Sequence, residues 1–195
     1  MARPIAVAIT GGIGAGKSEA LRAFARHGAA TVSSDEIVHH LLRRPDVRDA
    51  VVGRMGNGIV APDGEIERGA LADVVFNDRD ALAWLEATLH PLVAAEYLQW
   101  REQLATLATP PEVCVTEVPL LYDTGGEARF DKVVVITAPS KLRRARSEVA
   151  ADDREARLID DREKVARADY SYTNIGTVEE LDAFVGSVMH DLVPA

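Results

Sequence analysis

Cysteine is almost missing from this 195-residue chain: Cys114 is the only one. That excludes an internal disulfide and any cysteine-based zinc site. No apolar stretch approaches the roughly 18 residues a membrane helix needs. The opening Met1-Ala2-Arg3-Pro4 leads into only six apolar or small residues, Ile5 to Thr10, before a glycine cluster. Such a run is too short for a signal-peptide core and carries no cleavage site. Positive charge is scarce as well, with 22 Lys and Arg against 31 Asp and Glu and a net charge of -9. Neither nucleic acid nor an anionic membrane is an expected partner, because attraction to phosphate supplies most non-specific affinity for both. Internal repeats and low-complexity tracts are absent. What is expected is one cytoplasmic domain, monomeric, acting on a small molecule.

The remaining composition is ordinary for a globular chain, 47% hydrophobic and 27% charged. Ile5-Ala-Val-Ala-Ile9 reads as a strand buried on both faces, stopping at Thr10-Gly11-Gly12. Ala20, Leu21, Phe24 and Ala25 then recur at helical spacing up to Gly28. Thr31-Val32 is a brief second strand and Glu36 to Leu42 a helix. Residues 46–108 read as wholly helical, with apolar positions repeating at three and four and Thr109-Pro110-Pro111 closing the segment. Val113 to Thr116, Val133 to Ile136 and Tyr170 to Thr173 are further strands, and Val178 to Leu192 is a closing amphipathic helix. Strands alternating with helices predict a parallel α/β sheet. The core is assigned to 1–35, 110–139 and 169–195, with a helical insertion at 36–109 and a second, charged helical insertion at 140–168. Between Lys141 and Arg167 nine basic residues meet seven acidic ones, leaving +2 here and -11 elsewhere. This local balance suits an anionic small molecule, and equally a solvated pair of charged helices.

The strongest motif is Gly11-Gly12-Ile13-Gly14-Ala15-Gly16-Lys17-Ser18, which matches G-x-x-x-x-G-K-[ST] between a buried strand and a helix. Glycines let backbone N–H groups close around phosphate oxygens, and the helix N-terminus adds partial positive charge. The expected ligand is ATP, held by Gly12, Gly14, Ala15, Gly16, Lys17, Ser18 and Glu19. Lys17 would reach the β- and γ-phosphates and the Ser18 hydroxyl a Mg²⁺ ion. Ligands of open parallel sheets sit beyond the carboxyl ends of the strands, where Ser33-Ser34-Asp35 and Glu117 also fall. Asp35 suits a base that orients and deprotonates an attacking hydroxyl, or a helix N-cap. Glu117 is a candidate for the metal's water shell. No GTPase switch motif is present. Arg143, Arg144, Arg146, Arg154 and Arg157 lie where a lid could bring guanidinium groups to the transferring phosphoryl. A P-loop core of nucleotide-kinase type, with three layers, a helical acceptor-binding insertion and a lid, describes a small-molecule kinase.

Over nearly its whole length the chain resembles the dephospho-CoA kinase family. The resemblance is carried by Gly11 to Ser18, by Asp35 after the second strand, and by Asp63-Gly64-Glu65-Ile66-Glu67-Arg68 with Leu71 and Phe76. It continues through Leu85 and Leu89-His90-Pro91, Val118-Pro119-Leu120-Leu121, and Ala168-Asp169-Tyr170 with Asn174 and Gly176. It implies transfer of the ATP γ-phosphate to the ribose 3′-hydroxyl of dephospho-CoA, the last step of coenzyme A synthesis. It also implies that Asp35 serves the acceptor hydroxyl, that Arg68 and His90 hold the acceptor, that Arg144 contacts phosphate, and that adenine lies near Asn174 and Gly176. His90-Pro91 has a second reading as a helix start, since proline favours the first helical position. Several positions depart from the family pattern. Ser33 replaces its first acid, Tyr122-Asp123 its Phe-Glu, and Glu148-Val149 its Arg-Asp, and the lid is a few residues shorter. Alternatives are another metabolite or nucleoside kinase, or a nucleotide-binding paralogue with a regulatory role.

Overall fold

The computed structural model describes residues 3–146 and 159–194. Five strands, β1 (Ile5–Thr10), β2 (Ala30–Ser33), β3 (Val113–Glu117), β4 (Lys132–Thr137) and β5 (Tyr170–Thr173), form one parallel sheet in the order β2-β3-β1-β4-β5. The helices are α1 (Lys17–Arg26), α2 (Ser34–Arg43), α3 (Pro45–Met55), α4 (Arg68–Asn77), α5 (Arg79–Ala105), α6 (Ser140–Arg146), α7 (Asp161–Arg167) and α8 (Val178–Leu192). Strand side chains alternate between faces. Val7, Ile9, Val113, Val115, Val134 and Ile136 therefore pack with Phe24 of α1 and with Leu181, Val185 and Val188 of α8. Ala8, Val133 and Val135 face the other way, onto Leu121 and Tyr122. The polar look of β5 has the same origin. Tyr170 and Tyr172 turn inward, Tyr172 stacking on Phe184 at 4.9 Å between ring centres, while Ser171 and Thr173 face outward on an edge strand.

Two aspartates pin the amino ends of the strands. The Asp131 N–H donates to the Ala6 carbonyl at 2.8 Å, and its carboxylate accepts the Ala6 N–H at 2.9 Å. Asp169 repeats this on Val133, donating at 3.0 Å and accepting at 2.8 Å, and its carboxylate also takes the Lys132 ammonium at 2.9 Å. Each residue thus closes a reciprocal ring just before its own strand begins.

The chain forms two compact units, 1–34 with 101–195 and 35–100. The second has its own core, in which Leu42, Val47, Val51, Ile59, Leu71, Val75 and Leu89 are buried. Two expectations are corrected here. Residues 46–108 are not wholly helical. After α3 comes a 3-10 turn at Asn57–Ile59, and Val60 and Ile66 form an antiparallel bridge around Pro62-Asp63-Gly64. Turn chemistry overrides the periodicity: Gly64 has φ +85° and the Asp63 carboxylate accepts the Glu65 N–H at 3.0 Å. Pro91 does not start a helix but lies inside α5. That helix starts earlier because Asp78 Oδ1 accepts the N–H groups of Asp80 and Ala81 at 2.9 and 3.0 Å, which is N-capping. Of the charged pair expected over 140–168, the described residues show α6 and α7, and 147–158 lie outside them. Glu148, Val149, Arg154 and Arg157 lie outside the described residues. No helix among the described residues is long and apolar enough to cross a membrane.

Tyr122 stands where the family pattern has Phe. Its ring lies under the Arg167 guanidinium, 4.3 Å from the ring centre, and Arg167 also pairs with Glu127. The phenol is 5% exposed and its hydroxyl has no hydrogen-bond partner among the described residues, while burial pushes its pKa up. Tyr122→Phe should therefore keep or raise stability, by up to about 1 kcal/mol. A lower unfolding free energy in urea for Tyr122→Phe than for wild type would show that the hydroxyl is satisfied. Burial pushes the Asp169 carboxyl up, but Lys132 and the Val133 N–H outweigh it and hold the pKa below the usual value. A lowered pKa stabilises the fold above the unfolded value and loses that contribution as pH falls through the folded one. Asp169→Ala should cost about 1 kcal/mol at pH 7, given partial exposure, with the gap to wild type closing below about pH 4. Urea unfolding of both proteins across pH measures it.

Candidate active site

The phosphate loop leaves the end of β1 and enters α1. Three of its glycines are required by close approach, the first being Gly11, where a Cβ would run into the Ile136 carbonyl. Gly14 has φ +73°, and a Cβ there would come within 2.6 Å of the Arg143 carbonyl oxygen. Gly16, the N-cap of α1, is left-handed at φ +105°, and a Cβ there would run into the Asn174 amide. Lys17 is only 9% exposed, and its Nζ donates to the Gly12 carbonyl at 3.0 Å. The ammonium is thus folded over the loop that precedes it. Ser18 is exposed in the first turn of α1, and Ala15 is buried. Glu19 turns elsewhere, its carboxylate meeting Arg22 and Arg26 at 2.7 and 3.1 Å. Burial pushes the Glu19 pKa up, but these two arginines outweigh it and hold the carboxyl below its ordinary value.

Glu117 closes β3, registered beside Ile9 of β1 and Ser33 of β2, and is 7% exposed. Its carbonyl accepts the Ser34 hydroxyl at 2.8 Å, which ties the end of β2 to the end of β3. The Pro119 carbonyl accepts the Thr10 hydroxyl at 3.2 Å, so the turn after Glu117 is fastened to the last residue of β1. Asp123 is exposed and accepts the Ile159 N–H at 3.1 Å.

Asn174 follows β5 and is 7% exposed. Its N–H donates to the Thr137 carbonyl at 2.7 Å and its amide to the Ala15 carbonyl at 2.9 Å, while its own carbonyl accepts Arg146 Nη1 at 3.3 Å. Gly176 precedes Thr177, which forms a capping box with Glu180, and a Cβ at Gly176 would collide with the Glu180 carboxylate. On α6, Arg144 is exposed. It is Arg143 whose backbone lies against Gly14, and its Nη2 sits 3.9 Å from Asp161, which Lys164 also approaches at 3.9 Å. Asp161 escaped sequence reading, and so did the burial of Lys164, because a charged helix offers no signal for which of its faces is buried.

The first unit thus brings together residues 11–18, Glu117, Asn174 and α6. The other candidates belong to the second unit. Asp35 is exposed in the first turn of α2, which begins at Ser34, so Asp35 does not cap that helix. A carboxylate there is favoured by the helix dipole. Arg68 is exposed as the first residue of α4, where the same dipole disfavours a cation, and His90 is exposed on α5.

Known proteins resemble this chain in sequence and fold. A dephospho-CoA kinase from Streptomyces avermitilis is 37% identical over 196 residues, covering 96% of this chain and 93% of its own. The crystal structure of TT1252 from Thermus thermophilus superposes with a TM-score of 0.77 at 29% identity, over 98% of this chain and all of that one. Dephospho-CoA kinase from Campylobacter jejuni has the same fold, with a TM-score of 0.69 at 24% identity over the full length of both chains. The family model for dephospho-CoA kinase matches residues 5–180, from the first strand through the phosphate loop to the start of the last helix, and the chain belongs to that family.

Proposed function

We infer that this protein transfers the γ-phosphoryl group of ATP to the ribose 3′-hydroxyl of dephospho-CoA, giving coenzyme A and ADP. The observation that carries the reading is the phosphate loop with Lys17 buried against it, in a chain of this family. In the reaction the bond from the γ-phosphorus to the β,γ-bridging oxygen breaks. A new bond forms to the 3′-oxygen, whose proton leaves to a base. There is little covalent work for the protein in such a transfer, so positioning and charge stabilisation dominate.

Each residue has a part in this reading. Loop N–H groups and the N-terminus of α1 hold the phosphates, and Lys17 moves from the Gly12 carbonyl to the β- and γ-oxygens. Asp35 orients the acceptor hydroxyl and receives its proton. Arg68 and His90, with the helical unit around them, hold the acceptor, whose phosphates suit a cation such as Arg68. Arg144 meets charge developing on the transferred group. Ser18 and Glu117 are the residues that would hold Mg²⁺. A hydroxyl and one carboxylate are hard oxygen donors, few enough to leave positions for phosphate oxygens and water. Bound there, the ion neutralises charge across the β- and γ-phosphates.

The direct test is ADP release by the purified protein with Mg-ATP and each of dephospho-CoA, adenosine, AMP and pantetheine. Turnover is expected with dephospho-CoA, the product gaining a 3′-phosphate. Silence with all four alongside measurable ATP binding would move the reading to a nucleotide-binding paralogue. Lys17→Ala should lower kcat/KM at least about 100-fold, as loss of one preorganised charge contact typically does, in a protein that still folds. Undiminished turnover would refute the role of the loop. Asp35→Asn should lower kcat by about 10²- to 10⁴-fold at little-changed KM, because a base acts in the transition state. A change in KM alone would make Asp35 a binding residue.

A further inference from the structure

A phosphate cradle is built from backbone N–H groups, so the protein must hold such a loop through its carbonyl oxygens if the donors are to remain for the ligand. In this chain the carbonyl of Ala15, a fully buried residue in the middle of the loop, is held from the far edge of the sheet. Asn174 donates its amide to it at 2.9 Å. Asn174 is itself fixed. Its N–H donates to Thr137 at the end of β4, and its carbonyl accepts Arg146 from α6. The next loop residue, Gly16, lacks the side chain that would strike this amide, so loop and strut fit only as a pair. Asparagine is suited chemically. Its amide offers N–H donors on a short side chain without charge, whereas an aspartate would set a carboxylate against the carbonyl.

We propose that Asn174 is a positioning residue that sets the phosphate loop by holding the Ala15 carbonyl, and that it acts on the triphosphate whatever base is attached. This deepens the kinase reading and rests on it. A residue serving adenine would discriminate between bases. A strut for the loop weakens every triphosphate alike when it is removed.

The experiment is calorimetric titration of the full-length protein with Mg-ATP, Mg-GTP and Mg-tripolyphosphate, which has no base. Asn174→Ala is expected to weaken all three by a common factor of about tenfold or more, the loss of one buried hydrogen bond. The KM for dephospho-CoA should be unchanged. Asn174→Asp keeps the shape and removes the donor. It carries the same expectation should the alanine variant fail to fold. A loss confined to ATP, with tripolyphosphate binding intact, overturns the proposal in favour of a base contact, and unchanged affinity for all three overturns it outright. Wild-type protein that binds none of the three probes refutes the ATP reading itself, a failure separate from that of Asn174.

Discussion

A loop that binds phosphate with its own backbone can spend few of its N–H donors on holding its own shape. Its shape has to be imposed from the carbonyl side and by steric fit, and much of the first unit is arranged around that requirement. The Gly12 carbonyl takes Lys17 and the Ala15 N–H, the Ala15 carbonyl takes Asn174, and the Gly16 carbonyl takes the Ala20 N–H of the first α1 turn. Steric contacts from outside complete the enclosure: the Arg143 backbone lies against Gly14 and the Asn174 amide against Gly16. Glycine is needed here less for suppleness than because the neighbours leave no room for anything larger.

The sheet serves this loop by dividing its labour between its two ends. At the carboxyl ends lie the loop, Glu117 and Asn174, where polar groups are buried and their hydrogen bonds cross from strand to strand. At the amino ends, Asp131 and Asp169 lock neighbouring strands into register with paired hydrogen bonds. A one-residue slip would turn each strand's apolar residues to the opposite face. A slip of β5 would also move Asn174 off its station. The acids far from the chemistry therefore help to define its geometry.

Legibility from sequence followed the range of the interactions. Gly11 to Ser18 could be read directly because the spacing of its glycines, Lys17 and Ser18 within one contiguous stretch is itself the signal, and the strands could be read from β-branched runs such as Val133 to Ile136. The turn at Pro62-Asp63-Gly64 was hidden under apolar spacing that stays helical on either side of it. Pro91 looked like a helix start because the true start, the Asp78 cap, is a single side-chain interaction a dozen residues earlier. The partnership of Asn174 with Ala15 spans 159 positions. No local pattern encodes such a pair. The same holds for Asp161 with Arg143, where sequence offers several equivalent charges and only packing selects among them.

The reciprocal ring at Asp169 bears on more than stability. Because Asp169, five residues before Asn174, holds β5 in register on Val133, the position of that amide is set by β4. A shift of β4 would therefore be felt at the phosphate loop, through a strand that never touches the ligand's cradle.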